Sequence, residues 1–179
     1  MMLNLTAEGK KMTKYSSAQV LLHWLSAIII IWAMASGFYI FLGNASEHIK
    51  EFVGFINVSL TTLFIPFFAL RIFYAIKNGK PANIKSKSSN HALANAVHII
   101  IYINTALVLF TGVMMMERDI NIFNFVQLPH PLQGGALTSS FHQLHIISCV
   151  TLSLLIVMHI LAVLFHHLSG NPILRKMSW

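Results

Sequence analysis

Apolar residues gather into four long runs along this chain, and polar residues gather between them. The runs cover about 20–42, 52–76, 93–116 and 144–168, each about 23 to 25 residues long. About 20 residues rising 1.5 Å each cross the roughly 30 Å of bilayer hydrocarbon. Lipid offers no partner to a free backbone N–H or C=O, so each run predicts a membrane-spanning helix. Pro66 lies inside the second run and predicts a kink there. The pattern therefore predicts an all-α integral membrane four-helix bundle over 20–179, preceded by an N-terminal segment, 1–19. Residues 1–11 read as a loose polar extension, with Met12 an alternative start. The first run is too long for a signal-peptide core and no clear small-residue cleavage site follows it, so it reads as a retained span.

Composition agrees with this pattern and removes other classes. Of the 179 residues, 56% are hydrophobic and 9% charged, against roughly 25% charged in an average soluble domain. A soluble globular domain, a disordered chain and a coiled coil are excluded, since each needs more polar or charged residues. The single cysteine, Cys149, excludes a disulfide framework and a cysteine-cluster metal site. The net charge of +7 does not read as a nucleic-acid footprint, because the basic residues sit in short patches between the apolar runs.

Those patches set an orientation. Lys10, Lys11 and Lys14 precede the first run; Arg71, Lys77, Lys80, Lys85 and Lys87 lie near the junction of the second and third; Arg175 and Lys176 follow the fourth. The other side has Lys50 and Arg118, beside Glu47, Glu51, Glu117 and Asp119. The positive-inside rule then places both termini and the polar 79–90 linker in the cytoplasm. The longer outer loop, about 117–143, carries Pro129, Pro131, Gly134 and Gly135 and is expected to cap the bundle.

Histidine is what composition alone does not explain. His23, His98, His145 and His159 fall inside predicted spans, where ionisable side chains are costly and usually functional. His145 and His159 are fourteen residues apart on one helix, about 21 Å of rise and within roughly 40° of one face. Two centres stacked across the bilayer need such an arrangement. The interval recurs from His23 to Gly37, from His98 to Gly112 and from Asn57 to Arg71. Gly37 and Gly112 admit close approach of a neighbouring helix or a flat cofactor, and their shared register with His145 favours a cofactor.

Zinc would want clustered ligands, usually with a carboxylate or thiolate, and no Asp or Glu lies deep in a span. Imidazoles from separate helices suit haem iron with axial histidines. No C-x-x-C-H is present, so any haem is non-covalent and b-type. His23 and His159 share the cytoplasmic level on antiparallel helices and can bind one haem. His98 at the same level is a rival ligand or a hydrogen-bonding residue beside it. Arg71 can neutralise a propionate or simply snorkel to the interface.

HWLSAII at 23–29, H-x3-Y at His98 and Tyr102, and HILAVLFHH at 159–167 followed by ILRKM at 173–177 resemble the prokaryotic cytochrome b561 family. That four-helix di-haem fold is shared by the membrane subunits of formate dehydrogenases and nickel-iron hydrogenases. The resemblance runs from about 14 to 177. It implies that His23 and His159 ligate a haem on the cytoplasmic side and that His145 ligates an outer one. It also implies electron exchange with the quinone pool and with a periplasmic redox partner or superoxide, in the bacterial inner membrane.

One position departs from the family. Where its second helix carries a histidine fourteen residues before the arginine, this chain has Asn57. The second haem is then lost, five-coordinate, or completed by a loop histidine such as His48, His130 or His142. A quinone site is expected near His98 and Arg71. Two other readings stay open at this stage: a haem-bearing anchor subunit of a larger oxidoreductase, and a haem-depleted bundle. A homodimer is compatible with the pattern without being required by it.

Overall fold

The computed structural model describes residues 14–43, 45–79, 89–169 and 177. Four helices run through it: α1 (Ser17–Leu42), α2 (Glu47–Asn78), α3 (Ser89–Met114) and α4 (Ala136–Leu168). All four are long and apolar enough to cross a membrane. Between α3 and α4 lies a small antiparallel hairpin, β1 (Ile120–Ile122) and β2 (Val126–Leu128), in which Asn121 pairs with Gln127. The 1–11 extension with Met12, Lys80, Lys85, Lys87 and residues 173–176 of the last motif lie outside the described residues.

Each helix is as apolar as its run, but all four begin before it. α4 begins at Ala136 rather than near 144, and α2 extends beyond 52–76 at both ends. The added turns, such as ALTSSFHQ in α4, are mostly polar or small. An apolar run marks only the hydrocarbon-deep part of a helix, so polar end turns are invisible to it. α2 continues through Pro66 as one helix. The hairpin was not foreseen, because strands of three residues carry too little alternation to read.

α1 starts on a capping box: Gln19 N donates to Ser16 Oγ at 3.3 Å, and Ser16 N donates to Gln19 Oε1 at 3.1 Å. Gln19 Nε2 also reaches Tyr74 O and Gly79 O, tying the start of α1 to the end of α2. The main packing pairs are α1 with α2 and α3 with α4, while α2 and α3 touch less. The seams carry small hydroxyl residues. Ser26, Ser59 and Thr111 are fully buried, and Ser26 and Thr111 return their hydroxyls to a carbonyl one turn back. Small residues let backbones approach where no hydrophobic effect drives helices together. Large apolar side chains such as Ile76, Leu161 and Phe165 lie on the outside, as lipid requires.

The hairpin closes one end of the bundle. β1 packs on α2, and Ile120 is buried. Ser59 Oγ on α2 donates to Asn121 O at 3.0 Å and accepts from Phe123 N at 3.1 Å. Phe123 sits at φ 47°, a region a bulky side chain rarely adopts. Its ring lies edge-on to Phe55 of α2, so the turn is held by the helix it covers.

Candidate functional site

The four predicted histidines divide between two levels of the bundle. His23, His98 and His159 lie near the start of α1, the start of α3 and the end of α4, so they share one end with Arg71 of α2. His145 lies nine residues into α4 and His159 nine residues before its end. One helix thus serves both levels, about 21 Å apart by rise.

At the His23 end the polar groups touch. Arg71 Nη2 lies 3.2 Å from His23 Nδ1, and Arg71 Nε donates to Tyr102 Oη at 3.2 Å. The guanidinium also covers the Tyr102 ring, 4.9 Å from its centroid. The His98 and His159 rings meet edge to face at 5.2 Å. Tautomers follow from the partners. Arg71 can only donate, so His23 Nδ1 accepts and its proton is on Nε2. His98 Nδ1 lies 2.6 Å from Ala94 O, an acceptor, so Nδ1 carries the proton and Nε2 is the acceptor nitrogen.

At the His145 end the polar groups line open space. A cavity of about 580 Å³ is walled by all four helices and Ile120, within the roughly 300–1,000 Å³ of cofactor and ligand pockets. His145 stands on the α3–α4 wall. Its Nδ1 lies 3.2 Å from Val108 O and 3.1 Å from Thr111 Oγ1. Val108 O can only accept, so Nδ1 carries the proton, while the Thr111 hydroxyl donates to Leu107 O at 2.7 Å. Nε2 is left with its lone pair, 3.4 Å from Cys149 Sγ. A backbone carbonyl holding one ring nitrogen while the other faces a pocket is how metal-ligating histidines are oriented. The α1–α2 wall carries Asn57, whose Nδ2 donates to Ser36 Oγ at 2.9 Å.

The two glycines at the fourteen-residue interval do different work. A Cβ on Gly112 would come 3.2 Å from His145 Cε1, so Gly112 makes room for the histidine ring itself. A Cβ on Gly37 would meet nothing within 4 Å; it opens into the cavity, and so does Gly54.

The three histidines offered as substitutes for the missing helix-two ligand part company. His142 is helical, not in a loop, and lines the cavity one turn before His145 on the same wall. His48 is exposed in the first turn of α2. His130 is paired with Asp119 at 2.8 Å. Hydrogen bonds from the His130 ring and backbone hold the Asp119 carboxyl below its usual range. Sequence reading missed Ser36, Thr111 and Cys149. Each is next to, or one turn from, a residue it did identify: Gly37, Gly112 and His145.

The donor sets fit haem. Among the described residues no three His, Cys, Asp or Glu converge as a cage for a metal ion, which argues against zinc. Imidazoles from separate helices at one level and His145 at the other, a guanidinium for an anionic edge and an apolar slot opened by glycine suit a propionate-bearing iron macrocycle. A family model described as prokaryotic cytochrome b561 matches residues 14–179. Comparison with curated proteins finds no match.

Proposed function

The chain belongs to the prokaryotic cytochrome b561 family, and from that premise we propose that it passes electrons between membrane quinone and a haem held by His23 and His159. As a member it is a four-helix membrane bundle and a b-type cytochrome of electron transfer. Haem, when bound, supplies the one-electron redox chemistry; the chain supplies ligands, burial and a route for protons.

The reading places the protein in the bacterial inner membrane with the His23 end towards the cytoplasm, on the strength of the basic residues at that end. The observation that carries the rest is the convergence of His23, His98, His159, Arg71 and Tyr102 at one level. His23 and His159 come from antiparallel helices. Were haem bound, His23 and His159 would hold its iron and the Arg71 guanidinium would neutralise a propionate. His98 serves quinol in this reading: an imidazole at this level can exchange a proton with a quinol hydroxyl. The electron partner on the opposite side is a periplasmic redox protein or superoxide.

His98→Phe tests the quinone site. Quinol-dependent haem reduction is expected to fall at least tenfold, while dithionite reduction and haem content persist. If quinol still reduces the haem at the original rate, quinone does not meet the chain at His98.

A further inference from the structure

We propose that the cavity at the His145 end holds a second haem through His145 alone and keeps its other face, against Asn57, for a small exogenous ligand that accepts a hydrogen bond. The inference rests on the reading of the chain as a haem protein. It goes beyond that reading by assigning this level ligand binding rather than a second bis-histidine centre.

Three observations carry it. First, His145 is oriented as a ligand: its Nδ1–H is held by Val108 O and Thr111 Oγ1, and Nε2 meets only the weak S–H donor of Cys149, which a one-rotor turn removes. Second, the facing wall offers no imidazole. Asn57 stands there, and an amide is a poor axial ligand. His142 shares the wall of His145, His130 is engaged by Asp119, and His48 lies nine residues before Asn57, about 13 Å along α2. Third, the facing wall is polar in the way a ligand pocket needs. The Ser36 hydroxyl lies 2.8 Å from Trp32 O and 3.0 Å from Asn57 Oδ1, and it accepts from Asn57 Nδ2. That contact uses one of the two amide hydrogens. The second can turn to a ligand in the cavity, otherwise lined almost wholly by apolar side chains.

Met34, Met115 and Met116 are the competitors, since all three line the cavity; Met34 is the one on the helix pair that faces His145. It lines the α1–α2 side of the same cavity, and a thioether can be an axial ligand. Its sulfur is a weak donor on a side chain with three free rotors, so an exogenous ligand is expected to prevail.

The test uses the purified full-length protein in detergent, with carbon monoxide as probe for the reduced form and azide for the oxidised form. Two haems per chain are expected, of which one binds carbon monoxide. His145→Ala should abolish the carbon monoxide-reactive component and leave the low-spin haem, which doubles as the control for folding. Asn57→His should convert the reactive haem to low spin, with haem content unchanged. Asn57→Leu should keep the haem but lower azide affinity by about tenfold, the worth of one hydrogen bond, and shift the carbon monoxide stretching band. A single low-spin haem with no carbon monoxide binding overturns the proposal while leaving the haem reading at the His23 end intact. Two low-spin haems overturn it as well, and gain of carbon monoxide binding in Met34→Leu would then identify the methionine as the ligand. A protein without haem would sink the proposal together with the function it rests on.

Discussion

At the His23 end, imidazole and guanidinium touch each other, whereas at the His145 end the imidazoles, His142 and His145, share one wall of an open cavity with an amide across it. The same helix, α4, supplies a histidine to both levels, so the ligand itself is not what differs. The difference lies in what the other helices bring. α2 brings Arg71 to one level and Asn57 to the other. Arg71 donates to His23 Nδ1, which places the His23 proton on Nε2. Val108 and Thr111 hold the His145 ring by Nδ1, and Nε2 meets only the weak S–H donor of Cys149. One level is rich in ligands and charge, and the other is poor in ligands and roomy. In a low-dielectric span, each polar group present is there at a cost, so such an asymmetry points to separate tasks.

The largest separation of the two ends is expected from Gly37→Leu. Its side chain enters the cavity, where even a Cβ has no neighbour within 4 Å, and should fill the space a cofactor needs. Loss of the haem bound at the His145 end, with the low-spin spectrum of the other end unchanged, is the expected outcome in a haem titration. If both components survive at full occupancy, the cavity is not a cofactor site.

A smaller effect, at the other end, is expected from Arg71→Gln. Removing one positive charge beside the centre disfavours its reduced state, so the midpoint potential should fall by on the order of tens of millivolts at an effective dielectric of about 20. Redox titration should show this shift in the low-spin component alone. An unmoved potential would mean that Arg71 only anchors His23 and Tyr102.

The smallest effect is a pH dependence confined to the hairpin. Asp119 has its carboxyl pKa lowered by hydrogen bonds from His130. A lowered carboxylate stabilises the fold above its unfolded value, about 3.9, and that contribution is lost as pH falls through its lower folded value. Amide exchange in 119–130 should therefore rise at acid pH before that of the helices. In Asp119→Asn the exchange should already be raised at neutral pH and lack this acid step. Equal acid sensitivity in wild type and variant would show that the pair does not hold the hairpin.

The spans were legible because lipid imposes one rule on every residue of a crossing helix, and an apolar run records it. His23, His98, His145, His159 and Arg71 were legible because ionisable groups are conspicuous against that background. Ser36, Thr111 and Cys149 were not: small polar residues are common in membrane helix seams, and only three-dimensional contact separates a seam hydroxyl from one that holds a ligand. The hairpin escaped for a different reason. Its order comes from Ser59 and Phe55 on α2, more than sixty residues earlier in the chain than Asn121 and Phe123, and no local periodicity encodes that contact.

The central claim is that His159, rather than His145, anchors the low-spin centre. Electron paramagnetic resonance of the oxidised protein, compared between His159→Ala and His145→Ala, tests it most directly. The account predicts that the bis-histidine low-spin signal disappears in His159→Ala and persists at full intensity in His145→Ala. A low-spin signal that survives His159→Ala and vanishes in His145→Ala would contradict it.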